Sequence, residues 1–213
     1  MSFKKIAEKS LFFTVLFIGL FLILYPFYPS IKFWFHNIRN VGNKIPYETK
    51  LASDDLNSTG DEPFVLINAP IPSDNRLVIP GIEVDTKIVE GSGDWVLSKG
   101  TWHRPGTGDP VIGGNFVVTG HRFQYLPPNN TTFYNLDKLK EGDVVIVYWE
   151  GVEYDYVIIG ESFVVESDQI EIEEDQGYDV LTLYTCTPIW TSEKRLVIRA
   201  KPYGVGDILN ILE

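Results

Sequence analysis

The stretch "LTLYTCTP", from Leu181 to Pro188, holds the only cysteine of the chain. Leu181 and Leu183 alternate with polar, aromatic or thiol side chains, and this period of two predicts a β-strand. Pro188 has no N–H to donate to a neighbouring strand, so it predicts the end of the ladder. If the leucines face the core, Cys186 faces a groove or solvent where the strand opens into a loop.

Six other short runs rich in β-branched and aromatic residues surround this strand in the sequence. They are separated by Gly, Pro, Asn and Asp, and they read "RLVIP", "VDTKIVE", "NFVVTGH", "DVVIVYWE", "EYDYVIIGESFVV" and "RLVIRA". Their density predicts one all-β dominated domain over residues 76–213, a barrel or sandwich of seven to eight strands with short helices and turns. One such helical turn is expected within "TTFYNLDKLKEGD".

The N-terminal region has a different composition. No charged side chain occurs from Leu11 to Ile31, a length close to the roughly 20 residues that span a bilayer. Lysines precede this segment, which places the N-terminus in the cytoplasm. We therefore expect a cytoplasmic tail over 1–10, a single transmembrane anchor over 11–31 and an extracellular linker over 32–75. A cleaved signal peptide and a buried core helix are the alternatives.

The charge balance limits the classes of ligand. The chain has 18 Lys and Arg against 29 Asp and Glu, a net charge of -11. This balance argues against nucleic acid or an anionic surface as the main partner. In an exported domain a lone cysteine indicates either a reactive free thiol or an inert buried one.

A reactive thiol needs a base or a cation nearby, because the thiolate is the attacking form. The chain has three histidines. His36 is interpreted as an interfacial ring at the membrane edge. His121 ends the run "NFVVTGH" and is favoured as the acid or base over His103, which lies in the loop-like "TWHRPGTG".

Arg195 opens the run "RLVIRA" nine residues after Cys186. A return strand paired with "LTLYTC" would bring its guanidinium back toward the thiol, where it could steady a thiolate or an oxyanion. The alternative, for Arg195 and Arg199 alike, is an ordinary cation on a strand face paired with an acid.

Together these residues resemble the sortases, a family of membrane-anchored cysteine transpeptidases. The similarity rests on "VVTGHR" (117–122), "LTLYTCTP" (181–188) and "RLVIRA" (195–200), supported by "RLVIPGIEVDTKIVEG" near the start of the domain. It implies a closed β-barrel with Cys186 as nucleophile, His121 as general acid/base and Arg195 as the group that holds substrate or oxyanion. It also implies that Thr185 lines the substrate groove.

The resemblance implies cleavage of an LPxTG-like sorting signal through a thioacyl enzyme. The expected partners are a surface protein or pilin that bears this signal, and an amine from a cell-wall precursor or a pilin lysine. No cofactor is expected, although "EIEEDQ" (171–176) lies where some members have a calcium-responsive loop; a solvated acidic loop is the alternative. The "CTP" and the spacing to Arg195 are similar to the pilin-polymerising class C, but no Asp-Pro-aromatic lid precedes the domain.

Two other functions remain open on the sequence. A cysteine peptidase or wall hydrolase would use the same residues and release its acyl group to water. A tethered β-domain that only binds would leave Cys186 inert.

Overall fold

A computed structural model of the chain describes residues 3–28, 31, 32, 35, 71–124 and 129–203. The chain divides into two units, Met1–Pro63 and Phe64–Glu213. Most of the expected linker over 32–75 lies outside the described residues.

In the described part of the first unit, α1 (Phe3–Leu24) is followed by a 3-10 turn at Tyr25–Phe27. The α-helix ends before Pro26, because a proline ring has no N–H for the helical hydrogen bond. Leucine and phenylalanine side chains from Leu11 to Leu24 are largely exposed. None of the helices among the described residues has both the length and the apolarity to cross a membrane.

Nine strands are present in the described residues of the second unit, 71–124 and 129–203. They are β1 (Arg76–Ile79), β2 (Val84–Val89), β3 (Thr101–His103), β4 (Asn115–Thr119), β5 (Val144–Trp149), β6 (Val152–Ile158), β7 (Phe163–Glu166), β8 (Val180–Thr187) and β9 (Lys194–Pro202). The expected helical turn is a 3-10 turn at Leu136–Lys138.

Eight of these strands form a closed barrel. The hydrogen-bonded order is β6-β5-β1-β2-β3-β4-β8-β9, and β9 returns to pair with β6. Closure removes the open edges of the sheet, so the prediction of a β-barrel is confirmed and the sandwich is excluded. β7 is an extra strand, and among the described strands its one partner is β9.

The strand count exceeds the expected seven to eight for two local reasons. The run "EYDYVIIGESFVV" is broken by Gly160, whose φ of 72° lies in the region that favours glycine, and it forms both β6 and β7. Strand β3 has only three residues, too few for a period of two to stand out from the surrounding loop.

Strand β8 is buried on both faces along most of its length, contrary to the expected one-sided pattern. Leu181 and Leu183 are fully buried, but Thr182 and Tyr184 are buried as well. Tyr184 packs in a small apolar cluster that includes Ile172 of the loop before β8. Because this loop covers the second face, the strand becomes half-exposed only at its last two residues, Cys186 and Thr187.

Buried polar groups fix the same loop. The Thr182 hydroxyl donates to Asn115 Oδ1 at 2.7 Å, and Asn115 Nδ2 donates to the carbonyls of Ile172 and Glu174 at 2.9 and 2.8 Å. An unpaired buried amide or hydroxyl is costly, so these bonds hold the loop against β4 and β8. The open end of β8 is thereby left as the accessible part of the strand.

Candidate active site

Cys186 and Arg195 lie directly opposite each other on neighbouring strands. β8 and β9 are antiparallel, and their register pairs Cys186 with Arg195 and Thr187 with Lys194. Directly opposed residues in such a pair have Cβ atoms about 4.5–5.5 Å apart. Both residues are half-buried, and because opposed residues share a face of the sheet, the register puts the Arg195 side chain on the same face as the Cys186 thiol.

His121 reaches the same end of the sheet through the parallel pairing of β4 with β8. That register ends at Thr119 opposite Tyr184, and His121 follows two residues later. The Gly120 N–H and the Thr119 hydroxyl both donate to the Tyr184 carbonyl, at 3.3 and 3.0 Å. The strand ends that carry His121 and Cys186 therefore emerge side by side.

Thr185 helps to hold these two strand ends together. Its hydroxyl donates to the Gly120 carbonyl at 2.7 Å, and the residue is only 1% exposed. A side chain at position 120 would lie 3.1 Å from Phe133 and Thr101, which explains a glycine at this close approach. The structure thus gives Thr185 a contact to the His121 segment, and its substrate-binding role stays a prediction.

The backbone around His121 is anchored on the other side as well. Phe133 N–H donates to the His121 carbonyl at 2.8 Å, and the buried Arg122 bonds Asp137 at 2.8 Å. Burial lowers the pKa of Arg122, although Asp137 opposes the shift. Each neighbour of His121 is fixed while its own side chain stays half-exposed.

Arg195 is oriented by its own loop. Its Nη1 donates to the carbonyls of Ser192 and Lys194, at 3.1 and 3.0 Å. Both bonds use the same nitrogen, and within the described part of the chain Nε and Nη2 form no hydrogen bond, so both are available to a substrate oxygen. A planar, permanently charged guanidinium is well suited to binding a developing oxyanion.

His103 lies elsewhere and is already engaged. It is the last residue of β3 rather than part of a loop, and it is 7% exposed. Its Nδ1 lies 2.5 Å from Glu90 Oε1 and its Nε2 lies 2.9 Å from the Gly108 carbonyl. The ring also packs edge-on against Phe116 and Trp149, which indicates a structural role.

The acidic segment 171–176 is tied to the barrel through Glu173. Its carboxylate accepts from Arg104 Nε at 2.8 Å and from the Tyr184 hydroxyl at 2.6 Å. Burial and this carboxylate raise the pKa of Tyr184. Among the described residues, no group of three His, Cys, Asp or Glu side chains is placed to hold a metal ion.

An aromatic pair beside the site was missed in the sequence. Trp190 lies in the loop between Cys186 and Arg195 and is 75% exposed. Its ring packs edge-on against the Phe123 ring, with the two ring centroids 4.8 Å apart. Phe123 is two residues after His121, so the contact joins the two loops that leave the site. A tryptophan four residues from a lone cysteine was the available signal, but only the fold shows its partner.

Comparisons with known proteins agree with this geometry. A model of the sortase domain matches residues 77–203. The chain is 29% identical over 130 residues to Sortase A of Bacillus anthracis, covering 61% of this chain and 59% of that protein. It is 30% identical over 128 residues to Sortase D of Bacillus subtilis (strain 168), covering 59% of this chain and 61% of that protein.

The fold is also similar to solved sortase structures. Sortase C1 of GBS (group B Streptococcus) pilus island 1 superposes with a TM-score of 0.55 and 34% identity, covering 61% of this chain and 64% of that one. The matched region therefore spans less than two thirds of each of these three relatives.

Proposed function

The chain belongs to the sortase family, and from this premise we propose that it is a cysteine transpeptidase with Cys186 as its nucleophile. The observation that carries the proposal is the meeting of three strand ends. Arg195 lies opposite Cys186 across β8 and β9, and β4 delivers His121 beside the same end of β8. A nucleophile, a proton carrier and an oxyanion donor are the parts that acyl transfer through a thioester needs.

The first half of the proposed reaction forms the thioacyl enzyme. The Cys186 thiolate attacks the threonine carbonyl of an LPxTG-like sorting signal, and the Sγ–C bond forms as the carbonyl oxygen becomes an oxyanion. Arg195 Nε and Nη2 donate to this oxyanion. The C–N bond to glycine then breaks, and His121 gives a proton to the departing amine.

The second half returns the enzyme to its starting state. An amine of the cell wall or of a pilin lysine attacks the thioester carbonyl, and His121 accepts its proton. The new amide bond forms as the Sγ–C bond breaks, which regenerates the thiolate. His121 thus gives one proton and takes one back in each cycle.

Arg195→Ala is expected to lower kcat/KM by about 10²- to 10³-fold, because one set of oxyanion donors is lost. Arg195→Lys is expected to recover only part of this loss, since an ammonium lacks the planar fork of donors. Steady-state cleavage of a fluorogenic LPxTG peptide measures both variants.

Lys194→Ala is the matched control for Arg195. Lys194 is exposed, lies next to Arg195 in the chain and forms an ion pair with the exposed Glu166. Exposed ion pairs contribute little, so this variant should keep the wild-type rate. Equal losses at positions 194 and 195 would indicate a general charge effect and would remove the oxyanion role.

Transfer to an amine is expected to compete with hydrolysis. With a saturating amine acceptor, most of the cleaved peptide should appear as the amide product rather than as the free acid. Mass spectrometry of both products at increasing amine concentration measures this partition. A product ratio that no amine concentration changes would instead identify the second candidate, a cysteine peptidase.

A tethered β-domain without catalysis is the remaining alternative. It requires an inert thiol, whereas Cys186 is half-exposed at the end of β8. Exposure together with a facing guanidinium favours catalysis.

We propose a sorting-signal-bearing surface protein or pilin as the acyl donor. The support is family membership, together with similarity to a sortase C1 of a pilus island. The "CTP" sequence and the nine-residue spacing to Arg195 also favour a pilin-related class.

We also propose that the N-terminal segment attaches the domain to the outer face of the cell membrane as a single pass. The uncharged segment 11–31 with its preceding lysines supports this, as do the exposed apolar side chains of α1. The full chain should sediment with membranes and resist extraction by carbonate, and external protease should remove the barrel unit. Release by carbonate would leave a peripheral or unattached protein.

A further inference from the structure

The loop between β8 and β9 contains a backbone conformation that serine rarely adopts. Ser192 has a φ of 58°, in the left-handed region where the Cβ atom crowds the following carbonyl. Among the described residues, two other non-glycine residues have a positive φ, Glu83 and Glu150. Conformations of this kind persist where the surrounding structure enforces them, and they cluster at functional sites. The contacts of Ser192 therefore bear on the candidate active site, which this loop adjoins.

Backbone hydrogen bonds on both sides of the Ser192 α-carbon fix the bend. The Ser192 N–H donates to the Pro188 carbonyl at 3.0 Å, and the Ser192 carbonyl accepts from Arg195 Nη1 at 3.1 Å. The left-handed φ thus decides where this carbonyl points. The residue itself is exposed, and its hydroxyl forms no hydrogen bond with a described residue.

The loop is also held at two other points. At its base, Thr187 lies opposite Lys194 in the register of β8 and β9. Near its middle, the Trp190 ring packs against the Phe123 ring. A different φ at Ser192 would therefore be absorbed between these two points, and the Ser192 carbonyl would turn away from the guanidinium.

A carbonyl orients a guanidinium without cancelling its charge. Within the described part of the chain, Arg195 forms no ion pair, and Nη1 donates to the carbonyls of Ser192 and Lys194. Arg122, by contrast, pairs with the carboxylate of Asp137. A carboxylate on Arg195 would offset the positive charge that an oxyanion needs. Neutral acceptors on one nitrogen leave both the charge and the other donors to the substrate.

We propose that Ser192 is a positioning residue for the acyl transfer: its left-handed backbone aims its carbonyl at Arg195 and holds the guanidinium so that Nε and Nη2 face the oxyanion. This inference rests on the proposed function, because Ser192 acts only through Arg195. The property required at position 192 is a positive φ and not a hydroxyl. The position should accept glycine and asparagine and reject β-branched residues.

Four variants of the full chain separate the backbone from the hydroxyl. Ser192→Gly and Ser192→Asn lack the hydroxyl but tolerate a positive φ, so kcat and KM should stay within about 2-fold of wild type. Ser192→Val and Ser192→Thr are β-branched, and Thr keeps the hydroxyl. Both should lower kcat about 10-fold, part of the loss expected for a whole oxyanion donor. KM should not change, since the contact is made in the transition state. Steady-state cleavage of a fluorogenic LPxTG peptide measures all four.

Glu150→Val is the matched control for backbone strain. Glu150 has a φ of 52° and is exposed in the turn between β5 and β6. The same β-branched residue at nearly the same φ should lower the thermal midpoint about as much as Ser192→Val does. Its kcat should stay within about 2-fold of wild type, because the turn shares no contact with Arg195. The comparison separates lost positioning from lost stability.

A double-mutant cycle identifies the residue through which Ser192 acts. In the Arg195→Ala background, Ser192→Val should lower the rate by no more than about 2-fold further, because changes at one shared contact are not additive. Arg195→Ala alone tests the proposed function. A wild-type rate in that variant would refute the oxyanion role, whereas a slow Arg195→Ala beside an unaffected Ser192→Val would refute this inference alone.

Three results would overturn the positioning role. Equal rates in the glycine and valine variants would show that φ at position 192 is irrelevant. Full activity in Ser192→Thr together with a loss in Ser192→Gly would assign the effect to the hydroxyl. A further 10-fold loss in the double variant, as expected for independent effects, would place the action of Ser192 elsewhere in the loop. Near-UV circular dichroism checks folding, and Ser192→Thr carries the test if Ser192→Val does not fold.

Discussion

Cys186→Ala is expected to abolish peptide cleavage and amine transfer, with a loss of at least about 10⁴-fold, because no thioacyl bond can form. Cys186→Ser should be nearly as inactive, since a hydroxyl is a weak nucleophile at its free pKa. The measurement is kcat/KM for an LPxTG peptide, together with trapping of the acyl enzyme by mass spectrometry. A covalent adduct should form with the wild-type chain and be absent from both variants.

The same residue allows a control that does not require a substrate. Cys186 is the only cysteine of the chain and is half-exposed, so a maleimide should label the folded protein once. Near-UV circular dichroism of Cys186→Ala should match the wild type, because the thiol is not in the core. Wild-type activity in this variant would contradict the nucleophile assignment, and an unreactive thiol would support the inert β-domain.

His121→Ala is expected to lower kcat/KM by about 10²- to 10⁴-fold, the range over which general acid/base groups act. The physical reason is that the departing and incoming amines would exchange protons only with water. The variant is measured with the same peptide and the same amine acceptor as the wild type.

Rescue distinguishes proton transfer from a structural role of His121. The side chain is half-exposed, while the segment is held through its backbone carbonyl and through Arg122 and Asp137. The fold should therefore tolerate alanine, and added imidazole should restore part of the rate. An unchanged kcat/KM in His121→Ala would remove this residue from the mechanism. Circular dichroism checks that the variant is folded, so that a loss of rate without rescue is not mistaken for misfolding.

The candidate site was accessible from the sequence to a limited extent. A lone cysteine at the end of an alternating run, and an arginine opening the next run, predict an antiparallel return that brings the two together. Two strands that follow each other in the sequence can pair as an antiparallel hairpin, and the observed register places Cys186 opposite Arg195. The pairing of β4 with β8 joins residues about 65 positions apart and is parallel, so no local pattern specifies it.

Burial was the least predictable property. Alternation in "LTLYTCTP" suggests one solvent-facing side, but the loop before β8 covers that side through Ile172 and Glu173. Thr182 falls on the side expected to face solvent, yet it is buried and its hydroxyl bonds Asn115 of β4. Such covering depends on segments distant in the chain, which a strand pattern does not contain.

The sequence by itself determined the β-rich character of residues 76–203, the end of β8 at its proline and the short list of chemically competent residues. These depend on side-chain period, on missing N–H groups and on residue chemistry, all of which are local. The tertiary structure alone decided the closure of the barrel through β6 and β9, the separation of His103 from the site and the covering of β8 by the loop before it. Those features arise from contacts between distant segments, whose free energy depends on the packing of the whole barrel rather than on any one stretch.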